Sequence, residues 1–321
     1  MLKIDYNIEI GSVQFKLPSN SRLIELRSEA SMNAPVHHCR MLFTLPGDLS
    51  IAVGDSVKVK LGYDGDLNVV FSGVVTRVEW LVESVVVEAE SMARQLAALH
   101  VNAYFENAFA ADIVKGLAGE TDMATGRVEP GLRFAFYAVG SNRSAWDQLS
   151  ALARQCGFDL YADAEDQLVF GAALPGAPEM FQFGINILKL GVEQRQEAVS
   201  GVEVFGESPA SFGGGPDTSP WFTKKDVTGS AGSDPKQRMY IPAARTQELA
   251  AQIANNLWEK ISPKKNGSVK TLGKSALVLG GTLQVSDMPV DSQNGTYKIT
   301  GLDHQVHPVK GYLTTVEIEE I

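Results

Sequence analysis

Residues 144–171, SAWDQLSALARQCGFDLYADAEDQLVFG, predict a helix followed by a two-stranded hairpin. Ser144 is a favourable N-cap residue, and Asp147 places a negative charge in the first turn, where the helix dipole favours it. Apolar residues recur at the 3.6-residue period along the helix, and Gly157 can adopt the left-handed conformation that ends it. Apolar and polar residues then alternate on both sides of an acidic turn at 163–166, which predicts one buried face. Because that face needs a partner, the unit is expected to pack against the rest of the chain.

The chain on either side of this unit has the pattern of β-strands. Residues 54–64, GDSVKVKLGYD, alternate apolar and polar side chains, and residues 71–80 and 84–90 continue the pattern. Many short strands at this spacing are typical of a small barrel or sandwich. Between 101 and 180 the pattern becomes helical, and from 181 it returns to strands.

A segment within the last third differs sharply in composition. Residues 208–235 are half Gly, Pro and Ser, which predicts a mobile loop that we extend to 208–243. Trp221 and Phe222 lie in this loop, and they either anchor it to a partner or pack on their own subunit. A helix is predicted directly afterwards at 246–262.

Two distant parts of the sequence resemble each other. GDSVKV (54–59) followed by SGVVTRV (72–78) is similar to GGTLQV (280–285) followed by NGTYKITGL (294–302). An internal duplication and a chance likeness between strand pairs both explain this echo. The Asn-Gly pair that opens the last segment also predicts a tight hairpin.

Charge and hydropathy exclude several classes of protein. The formal net charge of −10 argues against nucleic-acid binding, which needs a basic face. No apolar run is long enough to span a membrane, and the N-terminus does not have the pattern of a signal peptide, so synthesis in the cytoplasm is expected. Cys39 and Cys156 are far apart in sequence and are expected to be buried free thiols.

Motifs for catalysis are missing from the sequence. There is no G-x-S-x-G elbow and no recognisable Cys/His signature. His37, His38 and Cys39 are consecutive on a predicted strand, so their side chains alternate between faces and cannot all bind one ion. We therefore expect no catalytic residue, no metal and no cofactor, and we expect the protein not to be an enzyme.

Taken in chain order, these pieces resemble the baseplate hub proteins of contractile phage tails, the phage late-control D family. They are also similar to the N-terminal hub part of VgrG. Each motif is short, and it is their common order over most of the chain that is specific. The positions that carry the resemblance are Gly54, Asp55, Val57, Phe71, Gly73, the Ala-Asp-Ile-Val run at 111–114, Trp146, Gly157, the helix at 246–262, Gly295, His304, Gly311 and Tyr312.

The resemblance implies a mainly β fold with an α+β insert. Two similar tube-type β-barrels would flank the α/β insert, and the second barrel would carry a helix-bearing insertion. The first barrel would span 1–100, the insert 101–180 and the second barrel 181–321, with the mobile loop 208–243 and the helix 246–262 in the last. Such an arrangement favours duplication as the origin of the sequence echo.

The implied function is structural. The resemblance predicts a homotrimeric baseplate hub that joins the hexameric tail tube to a trimeric spike, lines part of the central channel and contacts other baseplate proteins and the tape measure. Because VgrG-type chains continue into a spike after the second barrel, whereas this sequence ends at Ile321, the spike is expected to be a separate protein. The protein would be located in the tail baseplate of a phage or of a phage-like particle such as a tailocin, and it would be assembled there in bacteria. A VgrG-like effector carrier of an injection system and a β-rich carbohydrate-active enzyme are the alternatives.

Overall fold

The computed structural model describes residues 3–44, 50–174, 176–194, 198–206 and 227–321. Within them the chain is mainly β, with helices concentrated in the middle of the sequence, so the predicted fold class is confirmed.

The N-terminal part of the chain forms strands that alternate between buried and exposed residues and enclose one apolar core. These strands are β1 Ile4–Ile10, β2 Val13–Lys16, β3 Leu23–Ser31, β4 His38–Thr44, β5 Ser56–Tyr63, β6 Asp66–Trp80 and β7 Ser84–Glu90.

The middle of the chain alternates short strands and amphipathic helices. These elements are α1 Ala93–Ala98, β8 Ala103–Phe109, α2 Ala110–Ala118, β9 Ala124–Val128, β10 Arg133–Val139, α3 Ala145–Cys156, β11 Asp159–Ala162 and β12 Gln167–Gly171.

The C-terminal part returns to strands, with one further helix. Its elements are β13 Glu179–Gln182, β14 Lys189–Gln194, β15 Gly201–Phe205, β16 Thr228–Gly232, β17 Lys236–Tyr240, α4 Gln247–Ile261, β18 Lys265–Leu272, β19 Thr282–Ser286, β20 Gly295–His307 and β21 Gly311–Glu320.

The N-terminal and C-terminal halves repeat the same strand order. The order β3-β4-β7-β6-β5-β1 in the first half corresponds to β14-β18-β21-β20-β19-β13 in the second, and corresponding strands follow one another along the chain in the same sequence. Adjacent strands are antiparallel in both halves, except that β13 and β19 are parallel. A one-residue bulge also recurs, at Thr76 where β6 faces β7 and at Thr300 where β20 faces β21. Residues 54–59 and 280–285 of the sequence echo correspond in this structural repeat, whereas 72–78 and 294–302 are aligned by the echo two residues out of the structural register.

The two halves join edge to edge. Gly301–Val306 of β20 pair antiparallel with Leu26–Ser31 of β3, so strands of both halves belong to one continuous sheet. We call this ladder between β20 and β3 the seam.

The helix-bearing insertion lies between β14 and β18 in sequence, but it packs in the middle of the molecule. Buried residues of β15 and α4, such as Val202, Ile253 and Leu257, share their core with helices α2 and α3. Asn256 of α4 also donates a hydrogen bond to the carbonyl oxygen of Gln155 at 2.8 Å. The core of the middle unit is thus built from two separate stretches of the chain.

The segment predicted as a mobile loop at 208–243 is partly strand. Its described part contains β16 and β17, which flank β15 on its two sides. Small residues serve close packing here, because a Cβ at Gly229 would overlap the backbone of Ala250 in α4. Trp221 and Phe222 lie outside the described residues.

The helix and hairpin of residues 144–171 form as predicted at both helix ends. The Ser144 hydroxyl accepts a hydrogen bond from the Asp147 amide at 3.2 Å, and Gly157 has φ +72°. The expectation of a single buried face in the hairpin was wrong. Leu160 packs in the middle core while Tyr161, on the opposite face, packs in the core of the second half, because β11 and β12 lie between the two.

The predicted tight hairpin at Asn294-Gly295 was also wrong. Val285 pairs with Gly295, so an eight-residue connection, 287–294, separates β19 from β20 and contains a 3-10 turn at Asp291–Gln293. The Asn294 side chain accepts a hydrogen bond from the Met288 amide at 2.9 Å, which closes this longer connection.

Candidate assembly interface

The seam is fixed in register by a charged group on its exposed face. Arg27 donates from Nε and Nη2 to the two carboxylate oxygens of Asp303, at 3.2 and 3.1 Å, and also contacts Glu29 at 2.6 Å. Asp303 and Glu29 are directly opposite in the ladder, so the guanidinium lies beside two carboxylates that would otherwise repel each other.

His304, on the buried face of the seam, forms a polar cluster with Tyr312 and Thr314 of the adjacent strand β21. The Nδ1 atom of His304 lies 3.0 Å from the Tyr312 hydroxyl and 3.1 Å from the Thr314 hydroxyl. Burial lowers the pKa of His304 to about 4, so the imidazole is neutral at pH 7. Burial likewise raises the pKa of Tyr312. The cluster is therefore uncharged and serves packing and hydrogen bonding.

Tyr312 belongs to the second half in sequence but to the first half in packing. Its side chain lies in the core enclosed by β1–β7, although the residue is on β21. Gly311 has φ +73° at the hairpin end that delivers it, and a Cβ at Gly273 would overlap the Tyr312 ring. Through Tyr312, the β20–β21 hairpin of the second half packs against the first half.

The turn of the middle hairpin binds the start of α1, whose N-cap is Met92, and it also contacts the first half. Both carboxylate oxygens of Asp166 accept from the Met92 amide, at 2.9 and 3.0 Å. Burial raises the pKa of Asp166 to about 7, although the bond from Met92 opposes this shift. Lys58 and Glu165 add an exposed ion pair at 2.5 Å.

The middle unit contacts the second half through a more buried group of charges. Asp159 of β11 lies 2.7 Å from Lys260 of α4 and 3.1 Å from Lys298 of β20, and Lys298 also lies 3.5 Å from Glu319. Burial raises the pKa of Asp159, but the two ammonium groups lower it more, so it stays below its usual value. Tyr161 adds a bond from its hydroxyl to the carbonyl oxygen of Leu279 at 3.1 Å.

A cavity of about 350 Å³ lies where the three units meet. Its walls come from the first half, the middle unit and the second half, for example Phe71, Tyr161 and Leu279. Two histidines line it, His37 and His304, and burial lowers the pKa of each to about 4. Among the described residues, no three His, Cys, Asp or Glu side chains are grouped to hold a metal ion.

The remaining positions that carried the resemblance are structural and dispersed. Gly54 has φ +96° in the turn before β5, and Asp55 accepts there from the Ala52 amide at 2.8 Å. Gly73 lies so close to the neighbouring strand that a Cβ would overlap the carbonyl oxygen of Glu90. The other members are Val57 and Phe71 in the first core, Trp146 on α3 and Gly295 at the start of β20.

Of the predicted positions, the structure brings His304, Gly311 and Tyr312 together in the β20–β21 hairpin, beside the seam. The contacts of Arg27 with Asp303 and of Asp159 with Lys298 were missed. These partners are 276 and 139 residues apart, and no local pattern in the sequence links them.

Comparison with known proteins gives a family and a fold. The family model described as the Alg8 N-terminal domain matches residues 40–210, just over half of the chain. The chain belongs to this family. The name of the Alg8 N-terminal domain family does not mention a tail protein, and no curated protein matches the chain by sequence.

Solved structures show where else this fold occurs. A 43 kDa tail protein of prophage MuSo2 from Shewanella oneidensis has a TM-score of 0.73 at 13% identity, covering 98% of both chains. A tail protein from Neisseria meningitidis MC58 has a TM-score of 0.72 at 12% identity, covering 99% of this chain and 96% of that one. A type VI secretion system component from E. coli has a TM-score of 0.62 at 13% identity, covering 98% and 76%. The chain shares its fold with these proteins. None of the described helices is both long and apolar enough to cross a membrane.

Proposed function

We propose that this protein is a structural baseplate hub of a contractile phage tail or of a phage-like particle such as a tailocin. It forms a homotrimer, joins a hexameric tail tube to a separate trimeric spike and lines part of the central channel. Other baseplate proteins and the tape measure are its further partners, and the resemblance to late-control D hubs belongs to this proposal.

The observation that supports the proposal is the repeat of one strand order in two halves joined edge to edge at the seam. A part between a six-fold tube and a three-fold spike has to offer six similar contacts on one side and three on the other. A chain with two similar halves, present in three copies, meets both requirements. Likeness of the whole fold to solved tail proteins is consistent with this role.

Image reconstruction of a particle that contains this chain tests the proposal. We expect three copies in one ring, with the two halves of each copy in similar positions around the axis. Six copies per ring, or halves at different heights along the axis, would overturn the proposal. Three copies on a needle loaded with effector proteins would instead favour the VgrG-like carrier.

A further inference from the structure

The cavity of about 350 Å³ between the two halves and the middle unit has walls that are mostly apolar. Phe71 of the first half, Val169 of the middle unit, and Leu279 and Leu302 of the second half all line it and are buried. The polar residues of the lining are His37, Ser72, Arg127, Asp163, Gln167 and His304. A largely apolar space with a few polar groups is typical of a site that binds a small molecule.

Two of these residues, His37 and His304, each have a ring nitrogen that takes part in no hydrogen bond of the described residues. His37 donates from Nε2 to the carbonyl oxygen of Ser31, over 3.3 Å. Because a carbonyl oxygen only accepts, the proton of the neutral ring is on Nε2, and Nδ1 of His37 is an unused acceptor. His304 contacts the hydroxyl groups of Tyr312 and Thr314 through Nδ1, which leaves its Nε2 free.

Both free nitrogens can be reached from inside the cavity. In the part of the chain that the structure describes, the polar side-chain atoms that have no hydrogen bond and are out of contact with water-sized molecules belong to Ser72, Arg127 and Gln155. The free nitrogens of His37 and His304 are not among these atoms, although the two residues are only 4% and 2% exposed. The space that both residues line is the cavity. A buried acceptor is costly unless a molecule in this space bonds to it.

The acceptor on His37 restricts the polar group of such a molecule. Carboxylate and ether oxygens only accept, so they leave Nδ1 of His37 without a partner. An ammonium group donates, but the burial that lowers the pKa of His37 and of His304 to about 4 also disfavours a positive charge beside them. Asp163 of the lining already accepts from the amides of Glu165 and Gln167, both at 2.9 Å. A hydroxyl group donates without carrying a charge.

The volume of the cavity restricts the size of the molecule. An apolar cavity of about 150 Å³ holds benzene, so by proportion this one holds about 14 non-hydrogen atoms. Gln167 and Val278 line the cavity and are also exposed, so the cavity reaches the surface between the hairpin turn and the segment 277–279. A short alkyl chain can enter there.

We propose that the cavity binds an uncharged alcohol with an apolar body of about ten carbon atoms. Its hydroxyl group donates to Nδ1 of His37, and its body lies among Phe71, Val169 and Leu279. Because these three residues belong to the first half, the middle unit and the second half, the bound molecule contacts all three and stabilises their packing. The site lies within one chain and does not depend on the proposed function.

Calorimetric titration of the full chain with two isomers tests the polar group. Nonanol and octyl methyl ether contain the same atoms and have similar shapes, but only the alcohol donates a hydrogen bond. Nonanoate and nonylammonium carry a charge on a chain of the same length. We expect one nonanol to bind per chain, with an affinity about tenfold or more above that for each of the other three molecules.

Two variants of neighbouring histidines test the acceptor. His37→Phe keeps a ring in place but removes Nδ1, so nonanol should bind about tenfold more weakly, while binding of the ether changes by less than about twofold. His38→Phe is the matched control, because the His38 side chain is 59% exposed and does not line the cavity. It should bind nonanol as the wild type does. His37→Asn offers an amide oxygen close to the position of Nδ1 and should recover most of the affinity. The wild-type titrations decide the matter if His37→Phe does not fold.

The outcomes are distinct from those that test the proposed function. A wild-type chain that does not bind nonanol overturns this proposal, and so does tighter or equal binding of the ether, of nonanoate or of nonylammonium. Equal losses in His37→Phe and His38→Phe overturn the role of His37 as the acceptor. The number of copies in a particle does not enter any of these measurements, so the hub is supported or overturned separately by image reconstruction.

Discussion

The two halves of this protein share a strand order but not an environment. In the first half, β3 lies between two strands, and Leu26 and Ser28 are buried. In the second half, the corresponding residues of β14, Leu190 and Val192, are partly exposed. Among the described residues, β3 has two neighbouring strands and β14 has one, so the neighbours of a strand, rather than the strand itself, set the burial of its side chains.

The middle unit is also attached differently to the two halves. Towards the first half its hairpin turn uses the exposed pair of Lys58 and Glu165. Towards the second half it uses Asp159, which is only 11% exposed and contacts two lysines. Variants at matching positions measure how much each attachment contributes.

The largest effect is expected at Gly73. The sequence echo aligns Gly73 with Gly295, whereas the strand register aligns it with Tyr297. Gly73→Ala brings a methyl group onto the carbonyl oxygen of Glu90, so we expect the free energy of unfolding to fall by at least about 3 kcal/mol. Gly295→Ala is the control, because its nearest neighbour would be Tyr297 at 3.5 Å, and it should change stability by less than about 0.5 kcal/mol. Equal denaturation midpoints for the two variants would refute the close approach.

A smaller loss of stability is expected when Asp159 is replaced. Asp159→Ala leaves the ammonium groups of Lys260 and Lys298 close together, partly buried and without their shared carboxylate. Removal of one member of a buried ion group is strongly destabilising, and partial exposure reduces the effect to about 2 to 3 kcal/mol. Urea denaturation at pH 7 measures it. If the double variant with Lys298→Met is no more stable than Asp159→Ala, the cost does not come from the unpaired charge.

The free energy of unfolding is expected to fall in acid because of His304 at the seam. Trp80, the corresponding residue in the first half, does not titrate. Burial lowers the pKa of His304 to about 4, below the value of 6.5 expected when unfolded. Between these two pKa values the unfolded chain binds more protons than the folded chain. The stability that the neutral His304 contributes is therefore complete above pH 6.5 and is lost as the pH falls towards 4. Between pH 7 and pH 5 the loss is about 2 kcal/mol.

The measurement compares wild type with His304→Gln at both pH values. Asp166, with its pKa raised to about 7, changes stability in the opposite direction over part of this range, and His37 adds to the effect of His304. Both groups are present in the variant, so the difference between the two chains isolates His304. Parallel pH profiles would contradict the prediction.

The smallest effect is expected for the attachment to the first half. Lys58 and Glu165 are 37% and 48% exposed in their side chains, and solvent screens such a pair. Glu165→Ala should lower the free energy of unfolding by less than about 0.5 kcal/mol, in contrast to Asp159→Ala. Thermal unfolding of the two variants side by side gives the comparison, and similar losses would mean that both attachments contribute equally.

Much of the local structure could be predicted from the sequence. The ends of α3 followed from Ser144 and Gly157, because capping depends on residues within one turn of the helix. The helix predicted at 246–262 spans Gln247–Ile261, and the strands of both halves followed from their alternation. The Gly- and Ser-rich stretch at 228–232 was misread as loop, because the same small residues allow β16 to lie against α4.

The sequence by itself determined most of the helices and strands and the apolar faces of the helices, since both depend on spacing along the chain, and it left a repeat as one of two explanations of the echo. Only the tertiary structure decided that α4 packs beside α3, that Tyr312 enters the core of the other half and that Asp159 meets Lys298. These contacts join residues far apart in sequence, and their stability depends on which surfaces meet and exclude water. Spacing along the chain contains no information about which surfaces meet, so these contacts could be identified only from the three-dimensional structure.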